Sequence, residues 1–293
     1  MKSLPVGLAA SILLGCAEAG LEPVAPCSPD AVLAFRPDPA APGDESYLCF
    51  GFDPAALGAS PLRAIHLEAP PASAPVVIHH ASLYALRGAF PDGPVRCEAM
   101  PDEAVGLYVG VPGGDPLELP EDVAIALPEG TARLVVQAHA LRLAEGPAPE
   151  GRLRVCGAAR APEHLAAWMR LHAPVPAIRP YHQESSTEMC TVSEPLHLVA
   201  AWPHMHRIGA AFHGAILAKG GGRRALIDVD PWRFDEQRVY PLHEAAAAGD
   251  AIETTCVWNN PGSDYVFGGT RTEDEMCGQA LVAWPAESAS CAR

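Results

Sequence analysis

Residues 196–209 read LHLVAAWPHMHRIG. A short apolar run closed by a glycine has the length and composition of a β-strand rather than a helix. On a strand, positions i and i+2 point to the same face. His204 and His206 therefore present two ring nitrogens side by side, the arrangement a metal ion requires.

Runs of the same kind recur along the chain. They include APVVIHHASLYALRG (74–88), AVGLYVGVPGG (104–114), ARLVVQAHALRLAEG (132–146), GRLRVCG (151–157), AAFHGAILAKGGGRRALIDV (210–229) and GQALVAWP (278–285). Gly and Pro bound them, β-branched residues are common in them, and several alternate. AILAKGGGRRALIDV reads as a hairpin with glycine at the turn. APEHLAAWMRLH (161–172) is the one helix candidate, with Pro162 and Glu163 suited to a first turn, although AAWMRLH also suits a strand. The pattern predicts an all-β protein of two antiparallel sandwiches. The expected division is a leader over 1–15, a tether over 16–26, and domains over 27–160 and 161–293. The Pro/Ala-rich stretch 20–45 is read as leading into the first strand.

The 293 residues are half hydrophobic and carry a net charge of −15. That supports a buried core and argues against nucleic acid, which demands a basic face. Lys2 followed by apolar Leu4–Leu14 fits a signal peptide and is too short to span a bilayer. LLGC, ending at Cys16, matches a bacterial lipobox with lipidation of Cys16. AEA at 17–19 matches ordinary secretion. Either way the chain is expected to be exported, to the bacterial cell envelope or beyond, touching membrane only through a lipid anchor.

Eight cysteines remain after Cys16: Cys27, Cys49, Cys97, Cys156, Cys190, Cys256, Cys277 and Cys291. An even number in an exported chain implies disulfides. No C-x-x-C occurs, which disfavours a thiolate zinc site. About 105 pairings are open to eight cysteines, and the sequence alone does not choose among them.

Five of the twelve histidines stand out. His79 and His80 are adjacent, His139 lies in a long apolar run, and His204 and His206 form the pair above. Met276 precedes the last apolar run. Singly, each has an ordinary explanation. A lone strand His is usually a hydrogen-bonded structural residue, and a lone Met is usually core. Adjacent histidines on a regular strand face opposite ways, so joint use of His79 and His80 requires a bulge or a strand end.

Together their order and spacing resemble the copper type II, ascorbate-dependent monooxygenases, the family of peptidylglycine α-hydroxylating and dopamine β-monooxygenases. In that family one domain carries His-His and then a lone His. The other carries His-x-His and then a Met followed directly by Cys. The counterparts here are His79-His80, His139, His204-x-His206 and Met276-Cys277, with Gln137 as a supporting residue two before His139. The resemblance spans about 27–293. It implies the disulfides Cys27–Cys156, Cys49–Cys97, Cys190–Cys291 and Cys256–Cys277. It also implies jelly-roll domains that face each other across an open cleft with two copper ions.

By the same resemblance, His204, His206 and Met276 hold the catalytic copper that handles O₂ and a small-molecule substrate. His79, His80 and His139 hold the electron-supplying copper, with ascorbate or a similar reductant as co-substrate. Two imidazoles and a thioether form a soft set suited to Cu(I), whereas hard divalent ions want oxygen ligands. The family's substrate-binding Arg, Asn and Tyr correspond to Trp202, Gly278 and Ala280, so a carboxylate-binding guanidinium is missing at that position. Trp202 is instead read either as lining an apolar or aromatic pocket or as an ordinary core residue. The chain is read as a monomer. A non-catalytic copper-binding envelope lipoprotein and a purely structural sandwich are the competing readings.

Overall fold

The computed structural model describes residues 31–58 and 61–291. The leader, the tether, Cys16 and Cys27 lie outside the described residues.

Ten strands come from the first half: β1 (Ala31–Phe35), β2 (Glu45–Phe52), β3 (Leu62–Glu68), β4 (Val76–Leu86), β5 (Val95–Arg96), β6 (Val105–Gly110), β7 (Leu117–Glu118), β8 (Val123–Ile125), β9 (Arg133–Arg142) and β10 (Gly151–Gly157). Eight come from the second: β11 (His164–His172), β12 (Gln183–Thr191), β13 (Leu196–His204), β14 (Gly209–Leu217), β15 (Arg223–Val229), β16 (Tyr240–Ala246), β17 (Ala251–Asn259) and β18 (Gly278–Trp284). Three 3₁₀ turns are the only helical elements among the described residues.

The first half packs a sheet β5-β2-β9-β4-β6 against β1-β10-β3-β8. The second packs β12-β17-β14-β15 against β11-β18-β13-β16. Short parallel pairing of β8 with β11, Val123–Ile125 against His164–Ala166, fuses one sheet of each half into a single sheet. Burial follows the strand alternation. Leu196, Leu198 and Met205 enter a core within the second half. Ala200 and Trp202 enter the other core, which holds Leu33, Leu83, Leu134 and Leu153 of the first half. Each fully buried Leu contributes about 1.5–3 kcal/mol. The two halves thus share apolar packing.

Several expectations are met. Strands β14 and β15 form the hairpin around Gly220–Gly222. Cys49–Cys97, Cys190–Cys291 and Cys256–Cys277 are bonded. Cys156 is disulfide-bonded as well. These bridges fit an oxidising, exported environment. No helix among the described residues is long and apolar enough to cross a membrane.

Two local expectations are corrected. Residues 164–172 form strand β11 rather than a helix, because pairing with β18 along Ala167–His172 supplies the partners that a helix would find internally. Ala31–Phe35, within the Pro/Ala-rich stretch, is already a strand, since Leu33 and Phe35 bury in the shared core.

Candidate metal centre

Strand β4 carries His79 and His80 through a β-bulge. Ile78 pairs with Ala140 and His80 with His139, so His79 is the extra residue. The bulge re-aims neighbouring side chains and lets both rings face one cavity. His139 sits on β9, with the Tyr47 ring of β2 stacked on it at 4.1 Å between centroids. Strand β13 ends at His204, and His206 follows it. Met205 between them is fully buried in the opposite direction, so both histidines share a face. Pro203 fits here because β13's last pair with β16 is Ala201–Tyr240, leaving no ladder bond on that side for its missing N–H.

All five histidines line one cavity of about 520 Å³, together with Phe234, Gln237 and Thr272. Ring centroids run in a chain: His79 to His139 at 5.0 Å, His139 to His80 at 5.1 Å, His80 to His204 at 5.8 Å and His204 to His206 at 5.0 Å. The open cleft implied by the family resemblance is therefore not present. The fused sheet and the shared core hold the halves together and bring the two histidine sets into ring contact.

Hydrogen bonds to the far side of the rings fix which nitrogen of His204 and His206 is free. His204 Nδ1 lies 2.7 Å from Gln237 Oε1, and His206 Nδ1 lies 2.9 Å from the Asp274 carbonyl. Both partners are acceptors, so both Nδ1 atoms carry the proton and both Nε2 lone pairs remain available. Metal-ligating histidines are held in this way. His79 Nδ1 lies 3.2 Å from Thr272 Oγ1, whose own O–H donates to Glu45. His80 makes no hydrogen bond among the described residues. His139 is 2% exposed and its Nε2 lies 2.6 Å from Glu45 Oε1, but off the N–H axis, so this buried nitrogen has a close anion and no directed hydrogen bond.

Burial favours the neutral form of His79, His80, His204 and His206. It lowers His79 to about 4, with the neighbouring His139 adding to the effect. It lowers His204 to about 3 and His80 and His206 below the ordinary value. A neutral imidazole is the form that binds metal. One buried nitrogen without a hydrogen bond, at His139, two anchored tautomers and neutral rings together fit copper.

Met276 is placed differently. It lines a second cavity of about 180 Å³ that also touches His80 and His204 but not His206. His204 is common to both cavities, and the expected trio is not gathered around one of them. Met276 is nonetheless tightly set. The Glu275 carboxylate accepts from His206 N (3.0 Å), Ile208 N (2.8 Å) and Trp258 Nε1 (3.0 Å), and Cys277 is bonded to Cys256 of β17. Burial pushes Glu275 up to about 7 against the pull of those donors.

The smaller cavity is walled by Trp202, Gly278 and Ala280, the three positions at which the family's substrate contacts are replaced. Trp202 stacks on His204 at 4.7 Å and 14°. A guanidinium does reach this cavity, from a different strand: Arg170 of β11 lies over the Tyr84 ring at 5.2 Å. Gln137, expected beside His139, instead donates to the Cys97 carbonyl at 2.7 Å, because Cys49, its cross-strand neighbour, brings the bonded Cys97 within reach.

Glu45, Thr272, Gln237 and Glu275 carry much of the site and were not singled out from sequence. Glu45 and Tyr47 share a strand face with His139 opposite, a signal visible only once β2 is paired with β9. His172, left as ordinary, lines the smaller cavity.

Residues 165–292 match the family model of the copper type II ascorbate-dependent monooxygenase C-terminal domain. Comparison with curated proteins gives no significant match. Among solved structures, infectious bursal disease virus of the Gt strain is 11% identical, covering 86% of this chain and 70% of that one at a TM-score of 0.22. The T=1 particle derived from infectious bursal virus is 12% identical, covering 89% and 70% at 0.24. Likeness at that level carries no argument.

Proposed function

We propose that the protein is a copper-dependent monooxygenase that hydroxylates a C–H bond of a small organic substrate with O₂ and an external one-electron reductant of the ascorbate kind. The observation that carries this reading is the convergence of His79, His80 and His139 with His204 and His206 on one cavity. It is supported by the match of residues 165–292 to the copper type II ascorbate-dependent monooxygenase C-terminal domain.

His79, His80 and His139 would hold one copper ion, and His204 and His206, with Met276, the other. Copper supplies one-electron redox chemistry and O₂ activation at such ligands. The chain's own groups do the rest. Gln237 and Asp274 orient the two imidazoles of the second set. Glu275 fixes the backbone after His206 and immediately before Met276. Trp202, Tyr84 and Ala280 exclude water from the smaller cavity, where a substrate would sit against His204 and Met276. The five-histidine chain places the two sets in ring contact, so little water-filled space separates them. Export with a lipid anchor at Cys16 and a monomeric state complete the proposal.

The test is reductant-dependent O₂ uptake by the copper-loaded full chain, with product identified by ¹⁸O incorporation across a panel of small aromatic and aliphatic substrates. Stoichiometric hydroxylated product supports the proposal. Bound copper with no uptake under any reductant identifies a non-catalytic copper-binding protein instead.

A further inference from the structure

Of the first-half ligands, the atoms that lie closest together are not the three histidines. Ligand atoms of Glu45, His79 and His139 fall within 4.8 Å of one another, and His80 is not a member of that group. The His80 ring lies on the side toward the second half, 5.1 Å from His139 and 5.8 Å from His204 between centroids. We propose that Glu45 adds a carboxylate to the first-half site, beside His79 and His139, with His80 as the imidazole of that site nearest the His204/His206 pair. This rests on the copper reading above.

Three observations carry it. Glu45 Oε1 lies 2.6 Å from the buried Nε2 of His139, which has no directed hydrogen bond, so a cation held by both groups would give that nitrogen the partner it lacks. The same oxygen accepts from Thr272 N at 3.2 Å and from Thr272 Oγ1, which fixes the carboxylate at this spot. Thr272 Oγ1 also contacts His79 Nδ1, so one side chain from the second half orients two of the three groups.

One anionic oxygen among imidazoles makes this set harder than a purely imidazole one. It favours a divalent ion, Cu(II) over Cu(I), and admits Zn(II) or Fe(II) as competitors. The second site, with its thioether, is softer. The carboxylate would set the two apart in preferred oxidation state.

The experiment titrates Cu(II), and separately Cu(I) against a chromophoric chelator, into the full chain carrying His206→Ala to silence the second site. Glu45→Gln keeps the shape and can still accept from Thr272, but removes the charge. Its Cu(II) affinity is expected to fall roughly 10- to 100-fold or more, with an altered Cu(II) electron paramagnetic resonance spectrum. Cu(I) affinity should change far less, which also shows that the variant is folded. Thr272→Val, which loses the hydroxyl's cross-half hydrogen bonds but keeps the backbone one and the carboxylate, should retain the parent spectrum. Parent-like Cu(II) affinity and spectrum in Glu45→Gln would overturn the inference. So would a Thr272→Val variant that reproduces the loss, since Glu45 would then act only through the cross-half contact. Failure of the parent to bind copper at all would overturn this site and the proposed function together. Copper binding that depends on Glu45 without O₂ uptake would leave this site standing and the enzymatic reading refuted.

Discussion

The two histidine sets are built on opposite plans. His204 and His206 are supported from within their own half: Gln237 and Asp274 hold their rings, Glu275 holds the backbone beside them, and the Cys256–Cys277 bridge anchors the loop. His79 and Glu45 are oriented from outside, by Thr272 of the second half. Tyr47, stacked on His139, donates to the Thr270 carbonyl at 2.9 Å, again across the halves. The second set is preorganised wherever the second half folds. The first set reaches its geometry only when the halves are together. One site is therefore a property of a sandwich and the other a property of the interface.

The sharpest way to break this contrast is to remove a ligand. His206→Ala should abolish copper at the second set and lower reductant-dependent O₂ uptake by more than the roughly 10- to 100-fold that losing an outer partner costs. Copper at the first set should persist in elemental analysis. Removing the Cys256–Cys277 bridge by a double serine variant should destabilise the chain by about 2–5 kcal/mol in chemical denaturation. It should also weaken copper at the second set while sparing the first. Gln237→Leu, which frees His204 Nδ1, should weaken the second site alone by roughly 10- to 100-fold in a copper titration.

Acid should act on both sets with one sign. Burial depresses His79 to about 4 and His204 to about 3, against 6.5 for the free side chain. Below pH 6.5 the unfolded chain takes up protons that the folded rings refuse. Stability of the metal-free protein therefore falls as pH drops from about 6.5 toward 4 and then 3, and denaturation midpoints measured across that window check it. Glu45, depressed to about 2, adds stability that is present above 4.5 and lost between 4.5 and 2. The smallest expected effect is Thr272→Val. It removes the hydroxyl's two contacts at the interface, to Glu45 and His79, and should cost about 1 kcal/mol in stability.

Much of this was legible in the sequence because the chemistry was carried by spacing. H-x-H on a strand keeps its face, and the apolar alternation around it located β13. The requirement for a bulge at His79-His80 also followed from strand geometry, and the bulge is there. What stayed hidden depends on pairing between distant strands. Glu45 lies close to His139 only through β2 packed beside β9, and Thr272 reaches both across the halves. Arg170 enters the smaller cavity from β11, a segment whose period admitted a helix as well as a strand. The open cleft failed for the same reason. No local pattern announces that three residues of β8 will pair with β11 and fuse the sheets.

The most direct test of the account is the copper content per chain of the exported, disulfide-intact protein, measured beside His79→Ala and His206→Ala variants. Two coppers in the parent and one in each variant are predicted, because each substitution removes a ligand from a different set. One copper or none in the parent, or a content indifferent to both substitutions, would contradict a two-site centre built from the two halves.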